Sequence, residues 1–452
     1  MYDIKILNAK FPDYDSNEFK VSDICIKNGK IDYIGMNSKE AKLEIDAENY
    51  ITSPGFIDIH MHEEELEKYP SIGRFYIAER MLKMGVTTAL GGNCGINYQA
   101  PETFINYIKK YNSPINYMLK IGYNTFRKKI GLNSPYDRIS DHELDIMEKE
   151  IVENIPLGIK GISFGIEYSP GIEYKEMLRA SRLLNPEKHL ISAHYRNDGE
   201  ESISSIEEMI SLSEESSVPM QISHIGSCSA YGYMDKALVK IREAREKNLS
   251  IMADCYPYNA FCTYIGSTVF DDGCLERWNV DYSSIMLTQE PYKNIRCTKE
   301  IFEDARKNHP NMLAVAFVMN DTEIIEAMKS PFIMIGSDEI YNGNQGHPRG
   351  AGTFPRVLGK YVREEKHLEL IEALYKMTKM PGERLMLSQK GQIKEGYDAD
   401  ITIFDERSII DRADFINDPI APPCGIKYVM INGKLVLKNN IILSDNLGVF
   451  IK

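Results

Sequence analysis

The segment Ser53-Pro54-Gly55-Phe56-Ile57-Asp58-Ile59-His60-Met61-His62 joins a short apolar run to two histidines two positions apart. Such a run is typical of a buried strand, whose side chains alternate between two faces. Asp58, His60 and His62 are therefore expected to share one face. A His-x-His pair at a strand end directs two imidazoles towards one point, as a metal ion requires. Taken alone, the pair is equally compatible with two solvent-exposed histidines.

The composition is that of a globular protein without a nucleic-acid or membrane surface. A chain of 452 residues is too long for one ordinary hydrophobic core, but its length suits a large α/β barrel with a small appended domain. The net charge of -13 argues against a nucleic-acid partner or an anionic membrane, and no segment has the layout of a signal or the length of a membrane span. The eight cysteines are scattered without a CxxC pair, which is typical of reduced cytosolic thiols. We expect a cytoplasmic protein that acts on a small molecule, and a homo-oligomer is compatible with the sequence.

Both ends of the chain carry β-hairpin signals. An Asn-Gly pair, which favours a type I′ turn, lies between two strand-like runs at Asn28-Gly29 and again at Asn432-Gly433. Residues 399–405 alternate like a further strand. We therefore expect residues 1–54 and 390–452 to pair into one small β domain.

Between these ends, residues 55–389 alternate strand-like and helix-like segments, the pattern of a parallel sheet. The predicted strands are residues 56–59, 86–90, 117–123, 159–164, 190–193, 220–223, 250–253 and 332–336. Eight strands are the number in a (β/α)8 TIM-like barrel. A ninth run, 313–319, is expected to lie in an excursion before the last strand. Residues 264–298 lack a clear period and are interpreted as a long active-site loop or a small insertion.

Residues that can bind a metal recur where the predicted strands end. They are His60 and His62 after strand one, Cys94 after strand two, His194 after strand five, His224 after strand six and Asp338 after strand eight. In a barrel of this type, the carboxyl ends of the strands converge on one mouth, where the active site lies. The sequence therefore predicts a metal site formed by these six residues.

The order and spacing of several motifs resemble the amidohydrolase superfamily and, within it, the D-aminoacylase (N-acyl-D-amino-acid deacylase) family, nearly end to end. The motifs are GFIDIHMH at 55–62, GNCG at 92–95, GISFGIEYSPG at 161–171, SAHYR at 192–196, DCYPY at 254–258, GSD at 336–338 and HPRGAGTFPRVLG at 347–359. Residues 396–405 also resemble the family's return into a small β-sandwich. The resemblance implies a (β/α)8 barrel, a β-sandwich built from both termini, and hydrolysis of an amide bond.

The resemblance also implies two metal positions. A tight zinc would be held by Cys94, His194 and His224, and a second, weaker metal would lie near His60, His62 and Asp338. A thiolate and two imidazoles are good zinc ligands and leave a fourth position open for water or a substrate oxygen. The alternative for Cys94 is a small buried apolar residue. Its Gly-Asn-Cys-Gly setting at a strand end favours the ligand role.

Asp338 is the best candidate for the general base, because a carboxylate beside the metal can accept a proton from the attacking water and pass it to the leaving nitrogen. Metal ligation and a helix N-cap are alternative roles, both compatible with catalysis. Arg349 follows eleven residues later, and the resemblance implies that its guanidinium holds the substrate's α-carboxylate. A surface salt bridge is its alternative. The candidate pocket walls are Tyr195, Arg196, Tyr256 and Tyr258.

Two positions depart from the family pattern. Gly226 stands where the family usually has a lysine that contacts the substrate carboxylate, and three glutamates, residues 63–65, stand where it favours aspartates. Without the lysine, the α-carboxylate is left to Arg349 and a neighbour such as Ser227, or the substrate lacks a carboxylate there.

The leading interpretation is a zinc hydrolase of N-acyl-D-amino acids, or of dipeptides with a C-terminal D-residue. The alternative enzyme is a cyclic amide hydrolase of hydantoinase or dihydropyrimidinase type, which the missing lysine favours and the His-Pro-Arg segment opposes. A non-enzymatic alternative is a metal-free barrel with an assembly or binding role. The presence of every candidate metal ligand argues against that alternative.

Overall fold

The computed structural model describes residues 1–36, 39–69, 71 and 73–452. Strands and helices alternate through the central part of the chain, which confirms the expected α/β class. The parallel strands are Phe56–Asp58, Val86–Gly91, Asn116–Leu119 with Ile121–Gly122, Gly161–Gly165, Leu190–His194, Met220–Ile222, Ile251–Cys255 and Ile333–Ile335. Their bounds lie within two residues of the predicted ones. Nearly all residues of these strands are buried, and most of them are apolar.

These strands pair in parallel with their neighbours in the chain. The first three form one sheet, and a second sheet runs from Ile121–Gly122 to Ile333–Ile335. The chain passes from one sheet to the other through Lys120. At the far side, the backbone N–H of Asp338 donates to the carbonyl oxygen of His60 at 2.7 Å. The carboxyl ends of the first and last strands therefore lie side by side.

The helices pack apolar faces against the strands. In Met234–Glu246, for example, the buried positions recur every three or four residues, as in an amphipathic helix. The other helices of this part are Tyr76–Lys83, Pro101–Tyr111, Tyr123–Lys129, Asp141–Asn154, Tyr174–Ser181, Ser202–Ser216, Ile225–Ser229, Asp321–Lys329, Arg349–Arg356, Leu370–Met377 and Lys379–Arg384. Among the described residues, every helix is too short or too polar to cross a bilayer.

An insertion separates the last two parallel strands. In it, Phe261–Tyr264 and Ile285–Leu287 pair antiparallel with the two edges of Leu313–Ala316. The helices Cys274–Trp278 and Lys299–Asn308 complete it. The run predicted at 313–319 is thus the central strand of this small sheet, and residues 264–298 are folded rather than a long loop.

Both ends of the chain contribute to one sheet, which has nine strands within the described residues. Ile51–Pro54 pairs antiparallel with Ile401–Phe404 and so joins the two ends. At both Asn-Gly pairs the residues adopt positive φ angles between 50° and 79°, as a type I′ turn requires. The remaining strands are Tyr2–Asp13, Glu18–Lys27, Lys30–Ile34, Ala41–Asp46, Ile426–Ile431, Lys434–Lys438 and Ile441–Ile442.

Candidate metal centre

Residues that follow the parallel strands meet in one buried cluster. The ligand atoms of His60, Cys94, His224 and Asp338 all lie within 4.8 Å of one another. Cys94 Sγ is 3.2 Å from His224 Nε2 and 3.4 Å from His60 Nε2. Asp338 Oδ1 is 3.3 Å from His60 Nε2 and 3.2 Å from His62 Nε2. Residues distant in sequence thus converge, as the strand-end pattern predicted.

Three of these residues occupy a strained backbone conformation. Cys94, His224 and Asp338 have φ angles of 51°, 31° and 47°, in the left-handed region that residues other than glycine rarely adopt. Such conformations cost about 1–3 kcal/mol each and persist only where the surrounding structure imposes them. Their coincidence at three strand ends indicates that the positions of these side chains are strictly determined.

His194 approaches the same cluster from the fifth strand. Its ring centroid lies 4.6 Å from that of His224. Its Nε2 atom hydrogen-bonds to Glu167 Oε2 at 2.5 Å, and its Nδ1 atom has no hydrogen-bond partner among the described residues. His194 also forms a second group with His224 and Cys228, whose ligand atoms again lie within 4.8 Å of one another. All six predicted ligands therefore lie at one place, with Cys228 beside them.

A further layer of polar contacts orients the imidazoles. Asp254 Oδ1 lies 3.0 Å from His60 Nδ1, and Ser227 Oγ lies 2.7 Å from His224 Nδ1. In both rings the other nitrogen, Nε2, faces Cys94. Histidines that bind metals are commonly fixed in this way by a partner at the second nitrogen.

The electrostatics of the cluster fit a bound cation. Burial alone would raise the pKa of the Cys94 thiol, but His224 and His60 outweigh it and hold that pKa well below its usual value. Burial would likewise raise the pKa of Asp338, but Arg349 and the histidines hold it well below the usual range. Both groups thereby favour the anionic form in which they bind a metal. Thiolate, imidazole and carboxylate are also the ligands that zinc prefers.

Arg349 lies beside Asp338 at the base of a cleft of about 520 Å³. One of its terminal nitrogens, Nη2, is 2.9 Å from Asp338 Oδ2, and the guanidinium carbon lies 4.6 Å from the centroid of the Tyr256 ring. Nε and Nη1 have no hydrogen-bond partner among the described residues, although the side chain is only 2% exposed. A buried guanidinium with unpaired donors is suited to bind a carboxylate.

Two of the other predicted pocket residues line a smaller cavity that shares Asp338 and Arg349 with this cleft. Tyr256 and Ser227 line the same cavity as Asp338 and Arg349. The hydroxyl of Tyr256 has no partner among the described residues. That of Ser227 is already bonded to His224, which points to a role in orienting this imidazole.

Three predicted pocket residues lie elsewhere. Tyr195 is fully buried, and its hydroxyl bonds to Ser229 Oγ at 2.6 Å. Arg196 forms an ion pair with Glu208 at 2.7 Å. Tyr258 packs edge-on against a neighbouring histidine ring at 5.0 Å. None of the three lines the cleft in the described part of the chain.

The structure explains both departures from the family pattern. A Cβ atom at Gly226 would lie 2.5 Å from Ile324 Cδ1, so this position faces a packed helix and a side chain there would displace the end of Ile324. Glu63 accepts from the backbone N–H of Gly92 at 2.7 Å, and Glu64 accepts from the Tyr117 hydroxyl at 2.7 Å. These two buried glutamates therefore accept hydrogen bonds from other parts of the fold.

Four residues at the cluster were not predicted from the sequence. Asp254 lies within the seventh strand, one residue before its end, so the strand-end signal could have identified it. Glu167 and Tyr168 follow the fourth strand, and the Tyr168 ring packs 4.5 Å from that of His194. Cys228 lies one helical turn after His224, where strand periodicity gives no signal.

Comparison with known proteins identifies the class. Residues 51–436 match the model of the amidohydrolase family, which spans most of the chain. The protein therefore belongs to the amidohydrolase family.

Particular relatives are similar along the whole chain. D-aminoacylase of Alcaligenes xylosoxydans xylosoxydans is 26% identical over 489 residues, covering 99% of this chain and 97% of the relative. A solved D-aminoacylase structure superposes with a TM-score of 0.86 at 25% identity, covering 100% and 99% of the two chains. N-acyl-D-glutamate deacylase from Bordetella bronchiseptica, complexed with zinc and a phosphonate inhibitor, gives 0.87 at 23% identity and 99% of each chain, which shows a common fold.

Hydantoinase-type structures are less similar. L-hydantoinase from Arthrobacter aurescens superposes with a TM-score of 0.65 at 17% identity over 100% of this chain and 99% of that one. This likeness shows the shared fold alone.

Proposed function

We propose that this amidohydrolase removes the acyl group from N-acyl-D-amino acids, or cleaves dipeptides with a C-terminal D-residue. One observation carries the proposal: Asp338 bridges the histidine cluster and the buried Arg349, whose guanidinium has unpaired donors. A substrate with a carboxylate next to its amide bond would place the amide at the histidine cluster and the carboxylate at Arg349. The whole-length similarity to D-aminoacylase supports the same substrate class.

The resemblance implies two sets of metal ligands among the residues of this cluster. Cys94, His194 and His224 would hold one tight zinc, and His60, His62 and Asp338 would hold a second, weaker ion. A bound zinc would supply a Lewis acid for the amide carbonyl and would lower the pKa of water.

Asp338 would carry the proton during hydrolysis. Its carboxyl group is buried beside the ligand cluster at the cleft, and Arg349 and the histidines hold its pKa well below the usual value despite burial. It would accept a proton from the attacking water and deliver it to the amide nitrogen, because an amine is a poor leaving group until it is protonated. One residue thus serves as base and then as acid.

Arg349 would position the substrate. Its unpaired Nε and Nη1 atoms keep hydrogen-bond donors free for an α-carboxylate. With the carboxylate held there and the amide at the cluster, the side chains of D- and L-residues would point to different walls of the cleft. Such a difference would allow the cleft to select one enantiomer.

We also infer the finer architecture from the pairing of the strands. The two parallel sheets and the bond between Asp338 and His60 support one closed (β/α)8 barrel within residues 55–389. The shared sheet supports a β-sandwich domain built from residues 1–54 and 390–452. All eight cysteines are unpaired, which fits the reducing cytoplasm.

A direct assay tests the substrate class. Zinc-loaded protein is offered the N-acetyl-D and N-acetyl-L forms of one amino acid and a 5-substituted hydantoin. We expect hydrolysis of the D form, with little activity on the other two. Preferential ring opening of the hydantoin would instead support the cyclic amide alternative. No hydrolysis and no bound zinc would support a binding role.

A further inference from the structure

Cys228 brings a second thiol to the imidazoles of the metal centre. Its Sγ atom lies 3.8 Å from His194 Nε2 and 3.6 Å from Ser227 Oγ. The residue lies four positions after His224 on the short helix Ile225–Ser229, so its side chain lies near that histidine. It is 1% exposed. Its ligand atom and those of His194 and His224 all lie within 4.8 Å.

We propose that Cys228 is a further ligand of the metal that His194 and His224 hold. The inference rests on the proposed zinc site and adds to it a residue outside the implied ligand set. Cys94 Sγ lies 3.2 Å from His224 Nε2, so His224 is shared by the ligand group of Cys94 and that of Cys228. Two cysteines and two histidines are the ligand set of closed, tetrahedral zinc sites. On binding, the Cys228 thiol releases its proton to water and no redox change occurs.

The consequence is a centre with a closed and an open form. With Cys228 bound, the metal has four protein ligands and no position for substrate. With Cys228 displaced, three ligands remain and the fourth position opens, as in catalytic zinc sites. Cys228 thus retains the metal in the resting enzyme and yields its place to the substrate.

A neighbouring cysteine provides the contrast. Cys255 is equally buried at 1% exposure, but its Sγ atom donates to the carbonyl oxygen of Tyr256 and belongs to neither group of candidate ligands. It is a cysteine with the packing role that buried thiols usually have. Cys255→Ala is therefore the matched control for Cys228→Ala.

Cobalt substitution counts the thiolates. Metal is removed with a chelator and one equivalent of Co²⁺ is added to the wild type and to the Cys94→Ala, Cys228→Ala and Cys255→Ala variants. The near-ultraviolet band from thiolate-to-cobalt charge transfer grows with the number of bound thiolates. We expect Cys94→Ala and Cys228→Ala each to lose about half of its intensity, and Cys255→Ala to keep all of it. Chelator competition should show zinc bound at least about tenfold more weakly by Cys228→Ala, since even outer partners of a site typically contribute 10–100-fold.

The outcomes separate this inference from the proposed function. If Cys228→Ala keeps the full band while Cys94→Ala loses it entirely, Cys228 is not a ligand and the three-ligand site stands. If the wild type binds no cobalt, both proposals fail. X-ray absorption at the zinc edge of the wild type needs no variant, and two sulfur neighbours at about 2.3 Å would support the inference, whereas one would overturn it.

Discussion

At the scale of single residues, Asp338 is the side chain on which the proposed chemistry depends. Asp338→Asn keeps its shape but removes its basicity, so the tight zinc and the substrate should still bind. We expect kcat to fall by roughly 10²–10⁴-fold, the usual contribution of a general acid–base. Steady-state kinetics and metal analysis of the same sample check this. A variant that hydrolyses amide within a few-fold of the wild type would show that another group moves the proton.

Arg349 tests the recognition of the substrate. Arg349→Lys keeps the charge but cannot form the two-pronged contact, so KM should rise more than kcat falls. Loss of a hydrogen bond to a charged group costs about 1.5–3 kcal/mol, which corresponds to roughly a 10- to 100-fold rise in KM. Kinetics with an N-acyl-D-amino acid measure both constants. An unchanged KM would place the carboxylate away from Arg349.

The sequence could identify the six candidate ligands because each follows a buried apolar strand, and strand periodicity is a local signal. The same periodicity explains why Tyr195 is not a pocket wall: it directly follows His194 and so points to the opposite face. Cys228 and Glu167 escaped prediction because their positions depend on how a helix and a loop return to the cluster. No local pattern encodes that return.

At the scale of elements, the insertion is attached through the helix Cys274–Trp278. Arg277 Nε donates to Asp198 Oδ1 at 2.7 Å, and the indole of Trp278 donates to the other oxygen of the same carboxylate. Burial and the nearby Glu167 together raise the pKa of Asp198 to about 6, although Arg277 opposes this shift. The insertion thus reaches the loop after the fifth strand.

Loss of this attachment should loosen the insertion without unfolding the remainder. Arg277→Met leaves the buried Asp198 carboxylate with one partner fewer, at a cost of about 1–3 kcal/mol. We expect faster hydrogen exchange across residues 261–316 and unchanged exchange in the parallel strands. Equal acceleration in both regions would contradict the attachment role. Arg296→Met is a control in the same insertion, because Arg296 contacts only insertion residues among its described hydrogen bonds.

The insertion also shows the limit of local prediction. Residues 313–319 were expected outside the parallel set, and they are. Their partners were not predictable, because Phe261–Tyr264 pairs with Leu313–Ala316 across about fifty residues of chain. Such long-range pairing depends on the tertiary fold rather than on neighbouring residues.

At the scale of the whole molecule, Asp400 connects the C-terminal segment to the parallel strands and is paired with Lys390. Lys390 Nζ lies 2.5 Å from Asp400 Oδ2 and 2.9 Å from Asp398 Oδ2. Asn116, in the third parallel strand, donates to Asp400 Oδ2 at 3.0 Å. Burial alone would lower the pKa of Lys390, but Asp400 and Asp398 outweigh it and raise that pKa. Its stabilising effect is therefore complete at neutral pH and lost only as pH rises above about 10.4.

Lys390→Met should destabilise the protein as a whole. It leaves the buried Asp400 without its cation, which typically costs about 3–5 kcal/mol. Denaturant unfolding at pH 7 measures the free energy of unfolding. Lys434→Met, at an exposed position of the nine-stranded sheet, should change this free energy by less than about 0.5 kcal/mol. Equal effects of the two variants would show that the junction adds nothing to stability.

The sequence predicted the two terminal hairpins, but it did not predict the contact that joins the terminal domain to the parallel strands. The two Asn-Gly pairs define hairpins through backbone geometry alone, so their turns were predictable. The contact between Lys390, Asp400 and Asn116 joins two distant segments through side chains. Only the assembled fold brings these together.

The central claim is that a metal held by the strand-end cluster is required for amide hydrolysis. The most direct measurement follows hydrolysis of an N-acyl-D-amino acid by chelator-treated protein as Zn²⁺ is added back, with bound zinc determined in the same samples. We predict negligible activity in the metal-free protein and recovery as zinc binds, with neither zinc retention nor recovery in Cys94→Ala. Full activity of the metal-free protein, or full zinc binding and activity in Cys94→Ala, would contradict the account.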